Sequence, residues 1–196
     1  MIDWLESIDR SIVLTINSWN TPLFDEIMWV LSGKITWIPL YLFLIGLGFF
    51  KFEWKKALLY IGCVVISIGL TDLICSGVIK EMAQRYRPSH NLLLTDILHF
   101  YTFEDGSVYK GGQYGFVSSH AGNFFSLAWI AGLILKPYYK RALPTLLILA
   151  VVISYSRIYL GVHYLSDIIG GFIVGTIVSV IIYRYFYLKL SVKYFS

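Results

Sequence analysis

Long apolar runs, broken at intervals by short charged clusters, dominate the chain. Five of them, at roughly 35–50, 57–79, 119–135, 142–157 and 164–183, read as membrane-spanning helices. Several hold only about 15 consecutive uncharged residues, fewer than the ~20 that cross a bilayer, so flanking polar residues must sit at the membrane edge. The pattern differs at the N-terminus. Over 2–17, Leu5, Ile8, Ile12 and Ile16 recur at helical spacing with Asp3, Glu6, Asp9 and Arg10 between them, which predicts an amphipathic helix lying on the interface. Residues 23–33 either extend the first span or form a short sixth one, with Gly33 as the break. The expected fold is all-α, a polytopic membrane bundle of five to six transmembrane helices. In this reading an interfacial helix over 1–20 precedes a membrane-embedded domain over 21–196, which has one long outer connection at 89–117. Half of that connection, 92–103, is largely apolar, which fits contact with lipid or a lipid substrate; plain surface packing explains it equally well.

Composition strengthens the membrane reading. Of 196 residues, 57% are hydrophobic and only 14% charged, and the mean hydropathy is +0.68. A soluble domain carries about 25% charged residues, so a disordered tail is excluded and an ordinary soluble enzyme is disfavoured. The net charge of +4 is scattered rather than gathered in one block, and no nucleic-acid partner is expected. Cys63 and Cys75 lie inside apolar runs and make no disulfide framework. The first residues, Met1 to Glu6, contain no basic stretch, so a cleavable signal peptide is not expected. Lys51, Lys55, Lys56, Lys136, Lys140, Arg141, Arg184, Lys189 and Lys193 follow alternate spans and belong on the cytoplasmic side. Arg10, Lys34, Lys80, Arg85, Arg87, Lys110 and Arg157 fall on the other side. The bias becomes clear only if Lys80, Arg87 and Arg157 have a separate reason to be there.

Ionisable groups at membrane depth are costly, and these collect at one level. Lys80 and Arg87 are seven apart and share a helix face until Pro88 ends the run. Ser118, Ser119 and His120 open the third span, Ser156 and Arg157 close the fourth, and His163 with Asp167 at i+4 opens the fifth. Gly161 permits a chain reversal between the last two. Each has a bland reading: a basic residue that snorkels, a serine that caps a helix, an i,i+4 pair. Asp72, eight residues before Lys80, reads as a structural partner for another polar group, and His90 and His99 read as solvated loop residues. Convergence of three cations, two histidines and a carboxylate from four spans favours phosphate transfer. Lys80, Arg87 and Arg157 supply charge for phosphate oxygens, and the amides at 118–120 suit an anion. One histidine, its other ring nitrogen held by Asp167, can act as nucleophile while the second protonates the leaving oxygen. No metal or other cofactor is called for, since the cations can do a metal ion's work.

These residues resemble the signatures of the type-2 phosphatidic acid phosphatase superfamily. Lys80 to Arg87-Pro88 matches K-x6-R-P, and Ser156-Arg157 through His163 to Asp167 matches S-R-x5-H-x3-D. Val117-Ser118-Ser119-His120 keeps the serine and histidine of P-S-G-H but not its proline or glycine. The resemblance covers roughly 20–185 and implies roles. His163 would attack phosphorus with Asp167 orienting it, and His120 would protonate the leaving group. Lys80, Arg87, Ser118, the Ser119 amide and Arg157 would hold the phosphate oxygens. It implies a metal-independent lipid phosphatase with six spans and a site facing away from the cytoplasm. Residues 111–123 are similar to short bacterial members, which implies the bacterial inner membrane with the site on its outer, periplasmic side. Undecaprenyl pyrophosphate is the first-choice substrate, ahead of lipid A, phosphatidylglycerol phosphate and phosphatidic acid; the oligomeric state is left open. Three other readings stand beside it: a vanadate-binding haloperoxidase, a non-catalytic transport or lipid-binding protein, and a degenerate family member whose site is altered at Val117 and Ser119.

Overall fold

Where no water is available, a backbone must satisfy its own N–H and C=O groups, and this chain does so almost wholly with helices. A computed structural model describes residues 2–195. Its helices are α1 (Ile2–Asn17), α2 (Pro22–Ser32), α3 (Ile38–Lys51) and α4 (Trp54–Ala83), then α5 (Ser119–Leu135), α6 (Ala142–Tyr159) and α7 (Leu165–Tyr194). Short π-helical stretches, Leu73–Ile79 and Tyr183–Tyr187, lie within α4 and α7. Among the described residues there is no named strand, only the isolated bridges Tyr86–Tyr114 and Thr102–Val108.

All five runs expected to span fall on helices. α4, α6 and α7 are each long and apolar enough to cross a bilayer unaided. α5, at 17 residues, is about 25 Å long at 1.5 Å per residue, short of a ~30 Å hydrocarbon core. Residues 23–33 lie in a helix of their own, which Thr21 caps by accepting from the Phe24 N–H (3.2 Å) and Pro22 starts. It breaks at Gly33, and Pro22–Ser32 and Ile35–Lys51 meet at 67°. Taken as one bent span, that pair brings the count by length and composition to four. The expected five to six is reached by also counting α5 and by separating α2 from α3.

α5 is the hub. It packs on α4, α6 and α7, and Ala121, Ile130, Ala131 and Leu135 on it are wholly buried. Close approach to α7 depends on small residues: a Cβ on Gly175 would lie 2.4 Å from the Gly122 carbonyl. Ser67, Ser126 and Ser179, from three helices, join hydroxyls at 2.9–3.0 Å in the same core. Outward-facing Phe43, Phe50, Val65, Ile148, Ile173 and Ile177 remain exposed, as lipid-facing positions should be.

α1 differs from expectation in one respect. The face it buries against α6 and α7 carries Asp9, Val13 and Asn17, not the stripe of Leu5, Ile8, Ile12 and Ile16. The polar residues turn inward because they have partners there: Asn17 donates to the Tyr159 and His99 carbonyls at 2.7 and 2.8 Å. The 89–117 connection is likewise tied down. Trp29 of α2 stacks on Tyr101 and meets Phe103 and Tyr109 edge-on. Its exposed apolar tip is Leu92, Leu93 and Ile97.

Candidate active site

α4 delivers the first group. Lys80 sits in its final turns, and Gln84, with φ 45°, breaks the helix. The next three residues run extended beside 113–115. Arg87 N–H donates to the Gln113 carbonyl (3.1 Å), and Gly115 N–H donates to the Arg85 carbonyl (2.8 Å). The two arginines end at different places: the Arg85 fork reaches Asp167 and Asp9, whereas Arg87 lines a cavity with His163. Arg87 Nε donates to the Tyr114 carbonyl at 3.0 Å, which aims the rest of its fork.

The second group comes from the start of α5. Ser118 caps the helix, its hydroxyl accepting from the Ala121 N–H at 3.3 Å, and its own N–H donates to the Asp167 carbonyl. Ser119, where the family pattern has glycine, is the first helical residue. Among the described non-glycine residues only Gln84 has a positive φ, so serine at 119 carries no backbone strain. The third group spans the α6–α7 reversal, where Gly161 adopts φ 68°. Arg157, 6% exposed, donates through Nη1 to the Ser32 hydroxyl and through Nη2 to the Tyr109 hydroxyl at 2.9 Å. His163 follows the turn with Nδ1 3.2 Å from Asp167 Oδ2, the oxygen that also accepts the Tyr164 N–H at 3.0 Å.

These segments enclose a cavity of about 220 Å³. Arg87, Ser119, His120, Arg157 and His163 line it. Lys80, Ser118 and Asp167 do not: Asp167 and Ser118 stand behind the wall, while Lys80 lies close enough for its charge to act on His163. Arg87 Nη1, Arg157 Nε and His120 Nε2 are buried with no hydrogen-bond partner among the described residues. Burial, then the charges of Arg87, Arg157 and Lys80, hold His163 neutral well below the usual histidine range. Burial and neighbouring Arg157 likewise pull the Arg87 guanidinium below its ordinary value, and among the described residues neither Arg87 nor Arg157 forms an ion pair with a carboxylate.

The site also holds residues that sequence reasoning did not place there. Tyr109 and Ser32 fix Arg157, and Lys34, Asp72 and Asn123 line the cavity. Asp72 does have the polar partner expected of it, accepting from Asn123 Nδ2 at 2.8 Å, but the pair faces the site. His90 and His99 stay outside it; His99 pairs with Asp25 at 2.9 Å. A tyrosine in a loop leaves no sequence signal. Lys34, one residue past the Gly33 break, did.

The sequence model of the PAP2 superfamily matches residues 56–190. The chain belongs to that superfamily. PAP2 relatives and structures fill in the neighbourhood. The lipid A 4'-phosphatase of Porphyromonas gingivalis is 33% identical over 184 residues, covering 93% of this chain and 75% of that protein. Its namesake from Bacteroides thetaiotaomicron is 32% identical over 89% of this chain and 75% of its own length. The crystal structure of a transmembrane PAP2-type phosphatidylglycerolphosphate phosphatase from Bacillus subtilis superposes with a TM-score of 0.71 at 22% identity, covering 98% of this chain and 89% of that one. Aquifex aeolicus LpxE gives 0.63 at 23% identity, over 89% and 94% of the two chains. This PAP2 protein is thus a membrane-embedded lipid phosphatase, a hydrolase acting on lipid phosphates.

Proposed function

We propose that the chain removes phosphate from an acylated sugar phosphate of the lipid A type, through a phosphohistidine at His163, on the outer face of a bacterial inner membrane. The observation that carries the chemistry is the set of buried, unpartnered N–H groups of Arg87 and Arg157 around His163 and His120 in one cavity. A phosphate supplies the missing acceptors. Asp167 accepts a hydrogen bond from the His163 Nδ1–H, which leaves the Nε2 lone pair free. Nε2 attacks phosphorus, the P–O ester bond breaks, and His120 gives its proton to the departing oxygen. Water then attacks phosphorus with His120 as base, the P–N bond to His163 Nε2 breaks, and inorganic phosphate leaves. The Ser119 amide adds to the hold on the phosphate oxygens and Lys80 adds its charge from beyond the lining, while Ser118, behind the wall, caps the helix that carries Ser119 and His120.

Two observations favour the sugar phosphate over undecaprenyl pyrophosphate. The relatives at 32–33% identity are lipid A phosphatases by name. Asp72 and Asn123 add acceptors to an otherwise cationic wall, and Asn123 Oδ1 has no partner. A carboxylate repels a second phosphate but accepts from sugar hydroxyls, which a polyprenyl diphosphate lacks.

The test is phosphate release by detergent-purified protein in EDTA, from a lipid A bisphosphate, undecaprenyl pyrophosphate, phosphatidylglycerol phosphate and phosphatidic acid. We expect lipid A to be hydrolysed best and His163→Ala to be inactive on all four. His120→Ala should accumulate acid-labile labelled phosphate on His163. Asp72→Ala should lose ~10-fold in kcat/KM on lipid A alone, the scale of one hydrogen bond to a charged group. Equal loss on every lipid refutes the sugar contact, and release that survives in His163→Ala refutes the mechanism.

A further inference from the structure

Arg85 sits two residues before Arg87 and does not line the cavity, yet its fork ends on the carboxylate behind His163. Arg85 Nη1 donates to Asp167 Oδ1 at 3.1 Å and to the Ser166 hydroxyl at 2.6 Å, and Nη2 donates to Asp9 Oδ2 at 2.8 Å. Asp9 is 5% exposed on α1 and closes the circuit: its Oδ1 accepts the Ser166 N–H at 3.0 Å and its Oδ2 accepts the Ser166 hydroxyl. The Arg85 guanidinium lies over the Tyr164 ring, 4.2 Å from its centre. Asp167 is fully buried. Among the described residues, the ion pairs it makes are with Arg85 through Oδ1 and with His163 through Oδ2. The two oxygens therefore have separate tasks, and Arg85 holds the one that His163 does not use.

We infer that Arg85 and Asp9 are a positioning pair for the catalytic carboxylate, with Asp9 of α1 fixing the Arg85 fork and Arg85 fixing the rotation of Asp167 against His163. This rests on the role proposed for His163. A buried carboxylate pays a large desolvation cost and needs more than one neutral imidazole to settle it. A freely turning Asp167 would present Oδ2 to Nδ1 only part of the time, and His163 Nε2 would lose its aim at phosphorus. Arginine suits the task because its planar fork bridges two carboxylates, which a lysine cannot do. The consequence for α1 is direct. It is part of the active machinery, although no residue on it lines the cavity.

The test measures kcat and KM for full-length Arg85→Ala, Arg85→Lys, Asp9→Ala, Ser166→Ala and the Asp9→Ala/Arg85→Ala double variant, on a lipid A bisphosphate in detergent. Thermal midpoints are measured alongside. Removing a residue that orients another typically costs 10–100-fold, so Arg85→Ala should lose ~100-fold and Asp9→Ala ~10-fold in kcat, with KM within about twofold. The double variant should be no slower than Arg85→Ala, because both changes break one circuit. Arg85→Lys should recover part of the loss, and Ser166→Ala, which keeps both charges, should lose about threefold. Losses of Arg85→Ala and Asp9→Ala that multiply, or that appear in KM alone, overturn the inference. If Arg85→Ala does not fold, Arg85→Lys decides, since wild-type kcat there refutes the need for a fork. An inactive wild type, in contrast, strikes the proposed function, whereas an active wild type with an indifferent Arg85 strikes only this inference.

Discussion

Arg87 shows how one side chain would be held for the phosphate proposed to bind beside it. Its Nε is spent on the Tyr114 carbonyl at 3.0 Å, its backbone N–H on Gln113, and Nη1 is left buried and unpaired. An unpaired buried donor is expensive, and the cost falls away when a phosphate oxygen arrives. Lysine at this position would keep the charge but lose both the tether and the paired donors. Arg87→Lys should therefore cost ~100-fold in kcat/KM, read by steady-state phosphate release, with a smaller change in thermal midpoint. The serines illustrate the opposite case. Ser118 spends its hydroxyl as acceptor for the Ala121 N–H, the bland reading of a serine at a helix start. Buried and off the cavity lining, Ser118 acts on the site by fixing the start of the helix that carries Ser119 and His120.

At the scale of elements, the 89–117 connection is held by aromatic contacts rather than by regular secondary structure. Trp29 of α2 gathers Tyr101, Phe103 and Tyr109, and the Tyr109 hydroxyl takes Arg157 Nη2. Loop order and cation placement are thus one problem. Trp29→Ala should destabilise by on the order of 2 kcal/mol and lower kcat/KM ~10-fold by releasing Tyr109 from Arg157. Faster tryptic cleavage at Lys110, at unchanged far-ultraviolet circular dichroism, would show that the loop and not the helices had loosened. A cleavage rate equal to wild type would show that the aromatic cluster is not what holds the loop.

For the whole molecule, the distance between α5 and α7 decides whether His120 and His163 share a cavity. That distance is set just behind the site, where Gly175 lets the carbonyl of Gly122, two residues past His120, approach. Gly175→Ala would place a methyl group 2.4 Å from that oxygen, and backbone on both sides leaves little room to yield. We expect a loss on the order of 1–3 kcal/mol in thermal unfolding, together with reduced kcat although no catalytic group is touched. An unchanged melting point with unchanged kcat would mean that the helices separate without disturbing the site.

Much of this protein was legible along the chain. All five apolar runs fall on helices, and three of those helices, or four with the bent pair taken as one span, are long and apolar enough to cross a bilayer, because lipid demands apolar side chains over a whole span. Lys80, Arg87, His120, Arg157, His163 and Asp167 stood out for the same reason, as costly charges at membrane depth in signature spacing. Burial direction was not legible. Asp9 reads as a solvated residue on an amphipathic helix, yet it is buried against Arg85 and Ser166, 76 and 157 residues away. Arg85 reads as one more outer charge, and only the packing of 85–87 beside 113–115 and the start of α7 brings its fork to Asp167, 82 residues away. A polar side chain on a helix surface is worth burying only if another segment meets it with the right partner. Sequence pattern states the chemical type and the period; the partner arrives from a distant part of the chain, and only tertiary packing brings it.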